Sequence, residues 1–221
     1  MAKPATGFIF DFDGVVVDSL GAHLRAWDAA VLALFDAPLT NPTRLIGHST
    51  VAIAVLLAEE YGTPARAPDL VRLKREFLEN LDQPVCALPG AAELFHNLAA
   101  GSIPWGIASN ANRAFIEQTL GILGLAVPTI VAVEDVKKPK PAPDVFLLCA
   151  TRLGISPADH RRTIIFEDST HGISAAVKAG MFAVGVTTQH PAKILIAAGA
   201  SETCRNLAEA LERNWLVAPP I

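Results

Sequence analysis

A repeated pattern in the C-terminal part of the chain places the strongest constraint on its fold. Residues 105–108 form a short apolar run that stops at Ser109, and residues 163–166 form another that stops at Glu167 and Asp168. Helix-like segments follow both runs. Short apolar runs that alternate with helices indicate a parallel sheet covered on both faces. The sequence therefore predicts an α/β fold with a Rossmann-like parallel sheet.

The N-terminal segment belongs to the same predicted sheet, because residues 8–10 are apolar and stop at Asp11. The residues that follow have helical spacing, without a convincing strand, until Pro89 and Gly90. We therefore predict a core domain of residues 1–17 and 88–221. An all-helical domain of residues 18–87 is inserted into it.

Three helical patterns define the predicted insertion. Ser19 is a candidate cap for a helix with apolar positions spaced by three and four from Leu20 to residue 34. Further helices are predicted at residues 51–61 and 68–81. In the core, residues 129–133 are predicted to be a strand.

Composition excludes several classes of partner. The chain has 221 residues with a net charge of −4, and its basic residues form no run that would neutralise a nucleic acid backbone. Its apolar runs fall far short of the roughly 20 residues that cross a bilayer. We therefore expect no nucleic acid and no membrane partner, and a monomer is the simplest expectation for the oligomeric state. The brief apolar N-terminus is too short for a signal peptide, which indicates a cytoplasmic protein.

Three cysteines, Cys86, Cys149 and Cys204, are far apart and form no CxxC pair. This spacing suggests neither a disulfide framework nor a zinc site. Buried free thiols are expected instead.

Polar side chains are predicted to collect at one edge of the sheet, since ligands bind outside the carboxyl ends of parallel strands. A basic, proline-rich loop also reaches this edge. Lys138 and Lys140 both precede a proline there, and the spacing to Asp144 and Phe146 favours Lys140. Carboxylates, a hydroxyl and a lysine are the parts needed for metal-assisted phosphate chemistry. The residues concerned are Asp11, Asp13, Ser109, Lys140, Glu167 and Asp168.

The order and spacing of these residues resemble the motifs of the haloacid dehalogenase superfamily. The motifs in this chain are Asp11-x-Asp13, Ser109, Lys140-Pro-x-Pro and Glu167-Asp168. The resemblance extends from about residue 8 to residue 186. The helical insertion resembles the cap of the phosphoglucomutase-like branch.

The resemblance implies a role for each residue at the sheet edge. Asp11 would be the nucleophile that forms an aspartyl-phosphate. Asp13 would protonate the leaving oxygen and then accept a proton from water, which requires a raised pKa. Lys140 would neutralise charge, and Ser109 would donate a hydrogen bond to the phosphoryl group, helped by the main-chain amide of Asn110. For Ser109, a plain helix cap is the alternative.

A Mg²⁺ ion is the cofactor that the resemblance implies. Its ligands would be Asp11, the main-chain carbonyl of Asp13, and Asp168, all hard oxygen donors. Glu167 would either bind the metal or orient another ligand.

The predicted cap offers five candidate substrate-binding residues. Gly47, His48 and Ser49 lie in a segment that resembles a loop closing over substrate, with an ordinary turn and helix cap as the alternative. His23 would face the substrate or the hinge, or be purely structural. Lys74 would bind a sugar hydroxyl or simply lie on a solvated helix.

Phosphoryl transfer is favoured over dehalogenation because Asp13 is present. The mutases carry an arginine where this chain has Thr50, although Arg44 or Arg25 could take its place. This departure favours a phosphatase with a small-molecule partner, a sugar or polyol phosphate, over a mutase. A β-phosphoglucomutase-type isomerase is the alternative. A catalytically idle phosphate-binding protein is a third hypothesis.

Overall fold

The computed structural model describes residues 5–46, 49–80 and 85–216 of the chain. These residues form two compact units. The first consists of Met1–Asp18 and Cys86–Ile221, and the second is Ser19–Val85.

The first unit contains a parallel sheet of six strands. Its strands are β1 (Gly7–Phe10), β4 (Trp105–Ala108), β5 (Ile130–Val131), β6 (Thr163–Glu167), β7 (Phe182–Val186) and β8 (Glu202–Cys204). They lie in the order β5-β4-β1-β6-β7-β8. A separate antiparallel ribbon pairs β2 (Val17–Asp18) with β3 (Cys86–Ala87). This architecture confirms the predicted α/β fold class.

Helices alternate with the strands of this sheet. They are α4 (Ala91–Ala100), α5 (Arg113–Leu123), α6 (Asp144–Arg152), α7 (Thr170–Lys178), α8 (Ala192–Ala197) and α9 (Leu207–Glu212). Crossover helices cover both faces of a parallel sheet, so the central strands are buried on both sides. All four residues of β1 are buried.

The two faces of the central strands have different packing. On one face, Phe10 stacks on Phe166 with ring centroids 5.2 Å apart and also contacts Phe95. On the other, Ile9 and Ile165 belong to an aliphatic core with residues of the later helices. Alternating side chains along a strand produce this division.

The second unit contains three helices: α1 (Leu20–Phe35), α2 (Thr50–Glu60) and α3 (Ala67–Glu79). The helices predicted at 51–61 and 68–81 agree with α2 and α3 to within two residues. A core around Trp27, Leu57 and Leu70 holds the unit together.

Some local predictions are wrong. Residues 129–133 form a strand only at β5, because the Ala132 N–H donates to the Asp135 carboxylate instead of a neighbouring strand. Ser19 precedes α1, but its side chain makes no capping hydrogen bond. Cys149 and Cys204 are buried free thiols as expected, whereas Cys86 is free but exposed.

Within the described part of the chain, every helix is too short or too polar to cross a bilayer.

Candidate active site

Two neighbouring strands place acidic residues at the carboxyl edge of the sheet. Strand β1 pairs with β6 so that Phe10 lies opposite Phe166. The Asp11 N–H then donates to the Phe166 carbonyl at 2.9 Å. Asp11 and Glu167 therefore leave adjacent strands at the same level.

Three buried carboxylates form a compact cluster at this edge. One carboxylate oxygen from each of Asp11, Glu167 and Asp168 lies within 4.8 Å of the others. Such a set of hard oxygen donors fits Mg²⁺ better than a soft metal. The cluster brings together three of the predicted metal-site residues.

Asp13 lies just before a tight turn and forms an isolated β-bridge with Val17. The Phe12 carbonyl accepts hydrogen bonds from the N–H groups of Val16 and Val17. Phe12 is buried and packs edge-on against Phe115. The Phe12 side chain therefore lies in the core, while Asp13 is half-buried and close to Asp11.

Lys140 connects two members of the carboxylate cluster. Its Nζ lies 2.7 Å from Asp11 Oδ1 and 2.7 Å from Glu167 Oε2. The ammonium group also lies 4.6 Å from the centre of the Phe146 ring. Lys138, the alternative, is exposed. The structure therefore places Lys140, and not Lys138, among the carboxylates.

Burial and charge shift the pKa values of these groups. Burial raises the pKa of Asp11 to about 7, with a further contribution from Glu167 and an opposing one from Lys140. Burial and the neighbouring carboxylates also raise the pKa of Asp168 well above its usual range. Burial alone would lower the pKa of Lys140, but Asp11 and Glu167 outweigh it and keep the lysine charged. The cluster therefore has an excess of negative charge that a bound cation would offset.

Two glycines leave space for the carboxylates. A Cβ atom on Gly14 would overlap the Asp168 carboxylate, and a Cβ on Gly172 would overlap that of Glu167. Gly14 also has a φ of +73°, which favours glycine over other residues. Gly14 therefore allows a close turn after β1. The sequence did not predict a role for Gly172.

Both oxygens of Glu167 have protein partners. Oε2 accepts from Lys140, while Oε1 accepts from the N–H and hydroxyl groups of Ser169. The Ser169 hydroxyl in turn accepts the Gly172 N–H and caps α7. These contacts hold the Glu167 carboxylate in a fixed position beside Lys140.

Ser109 and Asn110 follow β4, which is the other neighbour of β1. Ser109 is buried, and its Oγ accepts the Ala111 N–H at 3.1 Å. Because α5 begins later, with Asn112 at its N-cap position, Ser109 is not the cap of that helix. The Asn110 side chain contacts the main chain of Lys140.

Thr188, on the loop after β7, is a polar neighbour of the cluster that the sequence did not reveal. Its Oγ1 lies 2.6 Å from the Gly14 carbonyl and 3.2 Å from Asp168 Oδ2. A polar residue soon after a strand end is the signal that could have identified it.

The predicted cap residues lie in the second unit. A hydrogen bond of 2.8 Å joins Lys74 Nζ to His23 Nδ1, and the ammonium lies 6.0 Å from the centre of the Trp27 ring. Lys74 is only 6% exposed, so its interpretation as a solvated helix residue is wrong. Ser49 caps α2 by accepting the Ala52 N–H. Gly47 and His48 lie outside the described residues.

Sequence comparison gives a family match over residues 8–186, to the family described as haloacid dehalogenase-like hydrolase. Fructose-1-phosphate phosphatase YqaB of Escherichia coli (strain K12) is 34% identical, covering 84% of this chain and 98% of the relative. Hexitol phosphatase A of the same organism is 33% identical, with 81% and 82% covered. β-Phosphoglucomutase of Bacillus subtilis (strain 168) is 34% identical, with 83% and 84% covered.

Structural comparison gives a similar result. A hydrolase from Pseudomonas syringae has a TM-score of 0.80 and 29% sequence identity, covering 95% of this chain and 97% of the other. The similarity extends over both units of the sequence. It agrees with the α/β fold derived above.

Proposed function

The chain belongs to the haloacid dehalogenase-like hydrolases, and from this membership we propose that it is a Mg²⁺-dependent phosphatase of small sugar or polyol phosphates. The observation that carries the proposal is the buried contact of Lys140 with Asp11 beside the carboxylates Glu167 and Asp168. Phosphatases of a sugar phosphate and of hexitol phosphates are among the similar proteins.

In the proposed reaction, a carboxylate oxygen of Asp11 attacks phosphorus and forms the aspartyl-phosphate. The bond from phosphorus to the substrate oxygen breaks, and Asp13 donates a proton to that oxygen. Asp13 then accepts a proton from a water molecule as the water attacks phosphorus. Inorganic phosphate leaves and Asp11 is restored.

Charge neutralisation is the proposed task of the surrounding groups. Lys140 holds its positive charge beside Asp11 and so reduces repulsion between that carboxylate and the phosphate. Ser109 donates to the transferring phosphoryl group, with the main-chain amide of Asn110. Glu167 orients Lys140 through their hydrogen bond.

Mg²⁺ would be held by Asp11, Asp168 and the main-chain carbonyl of Asp13. When bound, the ion supplies Lewis-acid polarisation of a phosphoryl oxygen and neutralises negative charge. Two features support this assignment. The donors are hard oxygens, and Gly14 leaves space beside the Asp168 carboxylate.

The domain assignment remains part of the proposal. Residues 1–17 and 88–221 would be the catalytic core, and residues 18–87 a cap that selects substrates. Lys74 and His23 are the candidate cap residues with the clearest support, because a buried ammonium paired with an imidazole suits an oxygen-rich substrate. Gly47, His48 and Ser49 remain substrate-binding candidates, although the observed role of Ser49 is a helix cap.

We also propose that the protein acts in the cytoplasm as a monomer, without a nucleic acid or membrane partner. Its net charge of −4 and dispersed basic residues support the part of this proposal that concerns nucleic acid.

A sugar-phosphate mutase is the second candidate function. The similarity to β-phosphoglucomutase, at 34% identity, equals that to the fructose-1-phosphate phosphatase. Thr50 in place of the mutase arginine favours the phosphatase.

The proposal is tested by phosphate release from sugar, polyol, nucleotide and glycolate phosphates with Mg²⁺ or EDTA. Metal-dependent release from a narrow group is expected, and Asp11→Asn, which is nearly isosteric, should reduce it at least about 10³-fold because the nucleophile is lost. Retained activity in Asp11→Asn would refute the nucleophile. Isomerised sugar phosphate with little free phosphate would establish the mutase instead.

A further inference from the structure

The Asn110 side chain makes two hydrogen bonds to the main chain of Lys140. The Lys140 N–H donates to Asn110 Oδ1 at 3.0 Å, and Asn110 Nδ2 donates to the Lys140 carbonyl at 3.3 Å. We propose that the Asn110 side chain is a positioning residue that fixes Lys140 for phosphoryl transfer. This inference rests on the proposed function of Lys140.

An asparagine side chain suits this task because its amide offers one acceptor and paired donors, matching a residue's main-chain N–H and C=O. Lys140 lies in the connection between β5 and α6, outside any described helix or strand. Its main chain therefore lacks the regular hydrogen bonds of a sheet or helix. Side chains replace them, since Lys178 Nζ also donates to the neighbouring Pro141 carbonyl at 2.9 Å.

Lys140 needs such support because its ammonium group contacts the carboxylates of Asp11 and Glu167 at the same time. A lysine side chain is long and flexible, so the position of its ammonium group depends on where the main chain of that residue is held. A misplacement of about 1 Å at a reacting group can reduce a rate about 100-fold. Asn110 therefore links the strand end that carries Ser109 to the loop that carries Lys140.

Asn110 is also exposed, so its removal should leave the core intact.

The test is a double-mutant cycle of wild type, Asn110→Ala, Lys140→Met and the double variant, with Asn97→Ala as a control at an exposed asparagine on α4. Turnover of the best substrate, KM, melting temperature and hydrogen exchange of the Lys140 amide are measured for each.

Asn110→Ala should lower kcat about tenfold and change KM less than about twofold, with faster exchange of the Lys140 amide and an almost unchanged melting temperature. In the Lys140→Met background the same substitution should change kcat by less than about twofold, because its effect passes through the lysine. Asn97→Ala should behave as wild type.

Equal losses in both backgrounds, or unchanged exchange of the Lys140 amide, would overturn the positioning role. If wild type releases no phosphate from any ester, the proposed phosphatase fails separately. In that case the affinity of each of the four proteins for inorganic phosphate is measured by calorimetry. Coupling between the two substitutions would support the positioning role of Asn110, and additive effects would overturn it.

Discussion

Thr188 connects Asp168 to the turn that follows Asp11. The hydroxyl has one hydrogen and two acceptors within reach, the Gly14 carbonyl and the Asp168 carboxylate. Its hydrogen bond to Asp168 favours the ionised form of that carboxylate, although burial raises the pKa of Asp168 overall. Thr188 therefore holds the side chain of Asp168, a proposed metal ligand, beside the turn that follows Asp11.

Thr188→Val should weaken Mg²⁺ binding by about tenfold, because partners that orient metal ligands typically contribute this much or more. The measurement is the Mg²⁺ dissociation constant by calorimetry, with no substrate present. Thr188→Ser retains the hydroxyl and serves as the matched control, with affinity near that of wild type. Wild-type affinity in Thr188→Val would exclude this role.

The sequence predicted, from residue type and position at strand ends, that acidic and basic residues would come together. It did not identify Thr188, because the contacts of that residue depend on the placement of a distant loop. Thr188 and Gly14, for example, are 174 positions apart. The need for glycine at position 172 becomes evident only in the structure, where the Glu167 carboxylate fills the space that a Cβ atom would occupy.

Edge strand β5 is held by side-chain contacts as well as by its pairing with β4. It has two residues. Arg113 at the start of α5 and Arg152 at the end of α6 both donate to the Ile130 carbonyl and to Asp135. The same carboxylate accepts the Ala132 N–H and so ends the strand. Periodicity could not predict this end, since a side chain from outside the run competes for a main-chain donor.

Asp135→Asn should lower the free energy of unfolding by about 1–2 kcal/mol, since it removes a charged acceptor from two half-exposed arginines. Urea unfolding at pH 7 measures the change. Glu117→Gln is the matched control, because Glu117 pairs with the same Arg113 at an exposed position and should contribute less than about 0.5 kcal/mol. A loss for Asp135→Asn no larger than that of the control would contradict the anchoring role.

The pKa of Asp135 adds a pH test to this prediction. Although burial opposes the shift, the Ala132 N–H and the two arginines lower this pKa to about 2. A lowered pKa stabilises the fold above the unfolded value near 4 and loses that contribution as the pH falls toward 2. The difference between wild type and Asp135→Asn should therefore shrink over this range.

At the scale of the whole molecule, the sequence predicted the class of fold and the three helices of the second unit. It succeeded there because many residues share one pattern, as in the continuous buried run of β6 and the helical spacing of the buried residues in α3. It was less reliable for single polar groups. Ser19 makes no capping hydrogen bond, and Cys86 is exposed. The local contacts of a single side chain determine both outcomes, and no repeated sequence pattern reports them.

The carboxylate cluster links the stability of the whole fold to pH and to metal. In metal-free protein, the raised pKa values of Asp11 and Asp168 mean that the folded state binds more protons than the unfolded chain above about pH 4. The stabilisation that these two carboxylates contribute is then fully present below that pH, and the part from Asp11 is lost as the pH rises through about 7. Each proton of difference changes the free energy of unfolding by at most about 1.4 kcal/mol per pH unit.

Melting temperatures in EDTA should therefore fall between pH 5 and pH 8, while Mg²⁺, which needs ionised ligands, should raise them more at pH 8 than at pH 5. Asp168→Asn removes one of the buried charges and should flatten the EDTA profile and reduce the gain from Mg²⁺. Scanning calorimetry of both proteins at each pH measures these effects. A wild-type melting temperature that rises with pH in EDTA, or a gain from Mg²⁺ that Asp168→Asn retains in full, would contradict this account of the cluster.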